Sequence, residues 1–316
     1  MDICLSRAVT GVGRSAADRE ALPAAARRVV DDLLARLERA VPGRIDGFYV
    51  VGSACMGAFR LGRSDLDFVA LVSSELGREG LTRIRAAHLA QWKSSLIRDL
   101  ALRWHWPLVC NGIYLVGSDL RRSPLQVTPV AGHVAGRFRV AERSGLDVNP
   151  VTWQTLARHS LSIRGPTRAE LQVRLDDAEL RAWTHDNLNR YWRRWSERSR
   201  RNVLTTAGAL PRRTAARGVL GAPRLHYTLA TGAIATKEAA GHYALEVFEP
   251  SWHPLIADAL GYWRGARARG PYRRHPARRQ RDAAEFVACV IEDANQRWSG
   301  SPHGRLLDIV HRWPPS

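Results

Sequence analysis

Strand-forming residues are not spread evenly along this chain. The short runs crowded with β-branched and aromatic residues, IDGFYVVG (45–52), SDLDFVALV (64–72) and PLVCNGIYLV (107–116), all fall in its first part. Helical patterns flank them. Residues 25–41 put Val29, Val30, Leu33, Leu34, Leu37 and Val41 at helical spacing before Pro42-Gly43 ends the run. Residues 81–103 repeat the pattern with Leu81, Ile84, Ala87, Leu89, Trp92, Leu96 and Leu100. A short helix is expected from Ser53. The alternation predicts an α/β domain over residues 1–140. Beyond it the strand runs stop, and PVTWQTLARHSLSI, DAELRAWTHDNLNRYWRRW and AAEFVACVIEDANQRW read as helices, with Gly, Pro and Arg interruptions at 208–223 and 265–281 as loops. Residues 141–316 are therefore expected to form an all-α bundle.

A hydrophobic fraction of 45% supplies a core for each domain, and no apolar run approaches the roughly 18 to 20 residues of a membrane span. The first residues lack the basic and apolar regions of a secretion signal, so a cytoplasmic protein is expected. Cys4, Cys55, Cys110 and Cys289 form no C-x-x-C pair, which argues against structural zinc and against a disulfide framework. The net charge is +18, but all but two of the 48 basic side chains are arginine, Lys93 and Lys237 being the lysines. Coding bias can favour arginine over lysine without selecting a binding surface, although it does not explain why acids number only 30. A nucleic-acid partner is not expected from this charge alone.

The chemistry concentrates in YVVGSACMGAFRLGRSDLDFVALV. Asp65 and Asp67, two apart on a strand, project from one face while Leu66 and Phe68 turn into the core. Two adjacent carboxylates repel unless a cation lies between them, and Mg²⁺, an oxygen-seeking ion that also takes substrate phosphates, suits the pair. Gly52 permits a close backbone approach to phosphate, and Ser53 adds a hydroxyl.

This segment resembles the G-S…D-x-D pattern of the nucleotidyltransferases, which move a nucleoside monophosphate from a triphosphate to an acceptor. PRLHYTLATGAIATKEAAGHYAL followed by PLIADALGYWRG is similar to the helical C-terminal domain of the streptomycin and spectinomycin adenylyltransferases. Shorter echoes occur in LARHSLSIRGP and AAEFVACVIEDANQR. The resemblance covers most of the chain apart from residues 1–20 and 168–205. It implies an α/β nucleotidyltransferase (polymerase-β-like) domain followed by an all-α bundle, with ATP as substrate, in a cleft between the domains, and Mg²⁺ as cofactor. It assigns Asp65 and Asp67 to the metal, Gly52, Ser53 and Ser64 to the triphosphate, Arg224 and Lys237 to its phosphates, and Trp263 to the nucleotide. The acceptor would be a small-molecule hydroxyl, the chain a monomer with neither membrane nor nucleic acid as partner. Lys237 stands out independently, as a compact point charge suited to phosphate in a chain that otherwise writes its cations as arginine.

Two departures from the family matter. Its third carboxylate, the general base, falls on Asn111, and an amide takes no proton at neutral pH. Asp99 or Asp119 could substitute, acceptor and water could manage the proton, or transfer could be weak or lost, leaving a non-catalytic nucleotide binder. The family's antibiotic-gripping acid falls on Thr214, inside the basic run RRTAARG, which points away from a cationic acceptor. Trp104 with Trp106 and Trp192 with Trp195 read as packing, RARGPYRRHPARRQR (267–281) as a solvated loop, and His159, His226 and His253 as too dispersed for a metal.

Overall fold

The structure is a computed structural model describing residues 17–73, 76–102, 108–205, 212–267 and 270–299, the side chains of 98–102, 202–205 and 299 apart. The chain divides into two compact units, Met1–Leu175 and Asp176–Ser316. This boundary lies later than the expected 140/141, because residues 141–175 complete the sheet of the first unit.

That sheet has six strands in the order β5-β4-β3-β2-β1-β6: β1 Ile45–Val51, β2 Leu66–Val72, β3 Cys110–Val116, β4 Ala131–Val134, β5 Arg137–Val140 and β6 Leu161–Arg164. β2 and β3 run parallel and the other neighbours antiparallel. Helices α1 (Ala24–Ala40) and α2 (Arg78–Leu102) belong with one face, where Val29, Val30, Leu33 and Leu37 of α1 join Phe48, Leu66 and Phe68 in one core. On the other face Tyr49, Val69, Leu71, Ile113 and Leu115 pack with Trp153 and Leu156 of α3 (Pro150–His159). A central sheet buried on both sides explains why its strands read as nearly continuous apolar runs.

Three strands were not foreseen. β4 and β5 form a hairpin whose two-residue turn holds Ala135 at φ 51° and Gly136 at φ 79°, the left-handed geometry that matches strand twist. β6 lies within a segment expected to be helical throughout. α3 instead stops at His159: the Ser160 hydroxyl donates to the Leu156 carbonyl (2.6 Å), and the next four residues pair with β1. Four residues are too few for periodicity to register against a preceding helix.

The second unit is helical: α4 Asp177–Asn187, a π-helical turn at Leu188–Trp192, then α5 Arg193–Thr205, α6 Arg212–Thr231, α7 Lys237–Val247, α8 His253–Trp263 and α9 Pro276–Ser299. Its core gathers Trp192, Val219, Leu220, Phe286 and Val287. Gly218 and Gly221 of α6 lie directly under the rings of Trp195 and Trp192, where any Cβ would collide. These indoles are packing residues, as expected; Trp104 and Trp106 lie outside the described residues. Among the described residues no helix is long and apolar enough to cross a membrane.

The arginine-rich segment is only partly a loop. α9 begins at Pro276, and Arg279 is 6% exposed. Its Nε lies 3.0 Å from the Asp258 carboxylate, which Arg212 also pairs at 3.0 Å. A buried guanidinium, Arg279, and a half-buried one, Arg212, thus share one buried acid, and removing Arg279 leaves the acid unbalanced in a largely dry interior. Arg279→Glu is expected to destabilise the protein by about 3–5 kcal/mol, whereas the exposed Arg274→Glu should change stability by less than about 0.5 kcal/mol. Chemical denaturation of both variants checks the contrast.

Candidate functional site

Asp67 is the second residue of β2, and its neighbours on both sides are fixed by strand pairing. It lies opposite Val51 of β1 and Asn111 of β3. Side chains alternate along a strand, so Asp67 shares its face with Val69 and Leu71 while Leu66 and Phe68 enter the opposite core. The expected division between carboxylates and core residues is therefore the one the structure has. Asp65 is exposed and falls just before β2, which begins at Leu66 rather than at 64.

Immediately after Val51 the backbone turns at Gly52 with φ 71°. A Cβ at Gly52 would sit 2.5 Å from Asp67 Oδ2, so only glycine lets β1 end beneath this carboxylate. Residues 52–57 are turns and not the expected helix. Gly52 and Gly57 both adopt positive φ, the Ala58 N–H reaches the Ser53 carbonyl (2.9 Å), and the Cys55 thiol donates to the Gly52 carbonyl (3.1 Å). Phosphate would meet the amides of a glycine-bounded turn there, with Ser53 at its start. Burial pushes the Cys55 thiol up to about 12, and the Asp67 charge acts in the same direction, so Cys55 is a neutral donor.

The loop returning to Asp65 is closed by Ser64, which is 6% exposed. Its hydroxyl accepts from the Arg60 N–H (2.9 Å) and its own N–H donates to the Arg60 carbonyl (2.8 Å). Ser64 therefore shapes the loop that delivers Asp65. Asn111 is half-buried beside Asp67, and its Oδ1 accepts from the Ala135 N–H in the β4–β5 turn (3.1 Å). That contact had no counterpart in the sequence reading, because the hairpin itself was not foreseen.

Of the acids weighed as replacements for Asn111, Asp119 is excluded by position. It follows the far end of β3, where it accepts from the Val116 N–H (3.2 Å) and pairs Arg122 (3.2 Å). Val116 is five residues from Asn111, about 17 Å at ~3.3 Å per residue. The Asp99 side chain lies outside the described residues.

In the second unit the structure brings Arg224, Lys237 and Trp263 together. Arg224 Nε donates to the Ala235 carbonyl (2.9 Å), two residues before Lys237 opens α7 behind the Thr236 cap. Lys237 Nζ stands 4.3 Å from the Trp263 ring centroid, a cation–π contact. Trp263 is 4% exposed, a core residue presenting its ring to Lys237. His226, thought too dispersed for a metal, bonds the Tyr243 hydroxyl (2.7 Å) and Asp293 (2.6 Å) instead.

Residues 191–293 match the family model of the aminoglycoside adenylyltransferase C-terminal domain. The chain resembles the aminoglycoside adenylyltransferases. A solved structure of spectinomycin adenyltransferase AAD(9) from Enterococcus faecialis, in complex with ATP and spectinomycin, has the same fold. Its TM-score is 0.55 at 15% sequence identity, covering 84% of this chain and 98% of that one. No curated protein matches this chain by sequence. The adenylyltransferase likeness thus includes a family-model match in the helical unit and a fold match across most of the chain.

Gly52 and Gly57 provide an internal comparison, since both have positive φ but only Gly52 has a neighbour a Cβ would strike. Gly57→Ala should cost about 1–2 kcal/mol from backbone strain, and Gly52→Ala that plus displacement of the Asp67 carboxylate. Urea denaturation should rank Gly52→Ala as the more damaging; equal losses would mean that Asp67 does not rest on this turn.

Proposed function

We propose that this protein is a nucleotidyltransferase that moves AMP from ATP, with Mg²⁺, to an oxygen of a small molecule. The observation that carries the reading is the Asp67 carboxylate set against the Gly52 turn, with Asp65 two residues before it. The donor set, two carboxylates and no nitrogen or sulfur, is the oxygen chemistry that this ion takes. Two carboxylates do not make a protein-only cage, but they match Mg²⁺, which usually keeps waters and substrate phosphates in its shell. When bound, Mg²⁺ would offset charge on the triphosphate and polarise its phosphorus–oxygen bonds.

Asp65 and Asp67 would hold the metal. The Gly52–Ser53 turn would offer backbone N–H groups and a hydroxyl to phosphate oxygens, with Ser64 keeping the Asp65 loop in shape. Within the second unit, Arg224 and Lys237 carry charges of the kind that bind phosphate, the guanidinium as a fork and the ammonium as a point charge beside the Trp263 ring. ATP as the nucleotide is supported by the complex of the similar spectinomycin adenyltransferase, solved with ATP. Phosphoryl transfer depends on positioning and charge more than on covalent help from the protein, so an amide at position 111 is compatible with turnover.

A second reading, a nucleotide binder without transferase activity, draws on Asn111 itself. The two readings share the nucleotide site and differ in pyrophosphate release. Asp65→Asn and Asp67→Asn should each weaken Mg²⁺-dependent ATP binding by at least about tenfold, or 1.4 kcal/mol, with the unfolding midpoint preserved. Lys237→Ala should weaken ATP binding as well, while Arg274→Glu leaves it unchanged. Calorimetric titration with Mg²⁺-ATP measures all four, and unchanged affinity in both aspartate variants would refute the site.

A further inference from the structure

Net charge alone selects no partner, but the structure shows where part of it gathers. Residues 190–201 hold six arginines and one acid, Glu197. Helix α5 sorts this run onto two faces: Ser196 and Ser199 are buried, as is Trp192 just before the helix, while Arg194, Arg198 and Arg201 are exposed. At 3.6 residues per turn these three arginines fall within about 60° of one another, and Arg194 and Arg198 stand about 6 Å apart along the axis. Glu197, on the same side, lies 4.0 Å from Arg201.

The neighbouring helix extends the face. Gly218 and Gly221 of α6 lie under Trp195 and Trp192, which brings the two helices together, and Arg213 and Arg217 of α6 are both exposed at a spacing of one turn. Arg217 Nη2 donates to the Tyr191 hydroxyl (2.6 Å), and its guanidinium carbon stands 5.9 Å from the centre of that ring. Tyr191 also meets the buried Trp192 edge-on at 5.1 Å, so two elements hold its ring, which is still 41% exposed. The other arginine-rich run, 267–281, is used differently: Arg279 is buried against Asp258, and Arg278 lies 3.4 Å from Asp282.

We propose that the face formed by α5 and α6 binds a single-stranded nucleic acid, with Arg194, Arg198, Arg201, Arg213 and Arg217 on its phosphates and a base on the Tyr191 ring. A guanidinium presents a planar fork that meets two phosphate oxygens at once, and a row of them along a helix follows a chain that carries one phosphate per nucleotide. Every base has a π-face, so an aromatic ring held at the surface takes one without regard to sequence. In a duplex the bases stack on each other, and an inorganic polyphosphate has none. The ring therefore separates a single strand from both. None of these residues belongs to the nucleotide site proposed above, so the two assignments stand or fall independently.

The test is fluorescence anisotropy of a labelled, mixed-sequence single-stranded RNA titrated with the full chain, with the matched duplex and long-chain polyphosphate as competitors. Micromolar or tighter binding at low salt is expected, with the logarithm of the affinity falling against the logarithm of salt at a slope of about −3, as four to five neutralised phosphates require. Replacing both Arg194→Gln and Arg198→Gln should reduce that slope by about 1.4, while Arg273→Gln with Arg274→Gln leaves it in place. Tyr191→Phe should bind like the wild type and Tyr191→Leu at least about fivefold more weakly, with unfolding midpoints preserved because these side chains are exposed. No binding of RNA at low salt would overturn the proposal, as would equal losses in the two arginine pairs. Full affinity in Tyr191→Leu, or competition by duplex or polyphosphate as strong as by the unlabelled single strand, would overturn the assignment to a single-stranded nucleic acid.

Discussion

The close approach of the Asp67 carboxylate to the Gly52 backbone is the constraint on which the N-terminal unit's arrangement turns. Because no side chain fits between them, β1 can end directly beside β2 and its chain can reverse at positive φ. The register that places Asp67 between Val51 and Asn111 is in turn held by the sheet, whose faces bury Phe68 and Leu66 on one side and Val69 and Leu71 on the other. A slip of one residue would exchange these faces and bury the carboxylate in the core. The hydrophobic effect thus sets the position of the charges, and the charges add little to the stability of the sheet.

The second unit uses charge in two ways. Asp258 and the buried Arg279, with the half-buried Arg212, form a charged cluster joining α6, α8 and α9. Arg224 and Lys237 are anchored differently, one to the Ala235 carbonyl and the other over Trp263, so that two cations are brought close together on neighbouring elements. A lysine held over an indole has less conformational freedom, which lowers the entropy lost on meeting a phosphate.

Where a single element decides the outcome, the sequence was informative. The helical spacing of Val29, Val30, Leu33 and Leu37 and the apolar runs at 45–52 and 64–72 correspond to α1, β1 and β2, and Leu66 and Phe68 enter the core as read, while Asp67 is half-buried and Asp65 precedes the strand. What escaped depends on contacts distant in sequence. β6 is recognisable only through its pairing with β1, and β4–β5 lacks the Asn-Gly pair that marks a tight hairpin, so the partner that orients Asn111 could not be foreseen. The turn at 52–57 resembled a helix start because a glycine-serine pair serves both; two positive φ values decide against it. Arg279 looked like one more loop charge because the acid that buries it, Asp258, lies 21 residues earlier.

The central claim is that Asp65 and Asp67 bind a metal together with a triphosphate. Titration of the full chain with ATP, once with Mg²⁺ and once with the divalent ions chelated, tests it most directly. The account predicts saturable binding of one ATP per chain that is lost on chelation. Binding of equal strength under both conditions, or none under either, would contradict it.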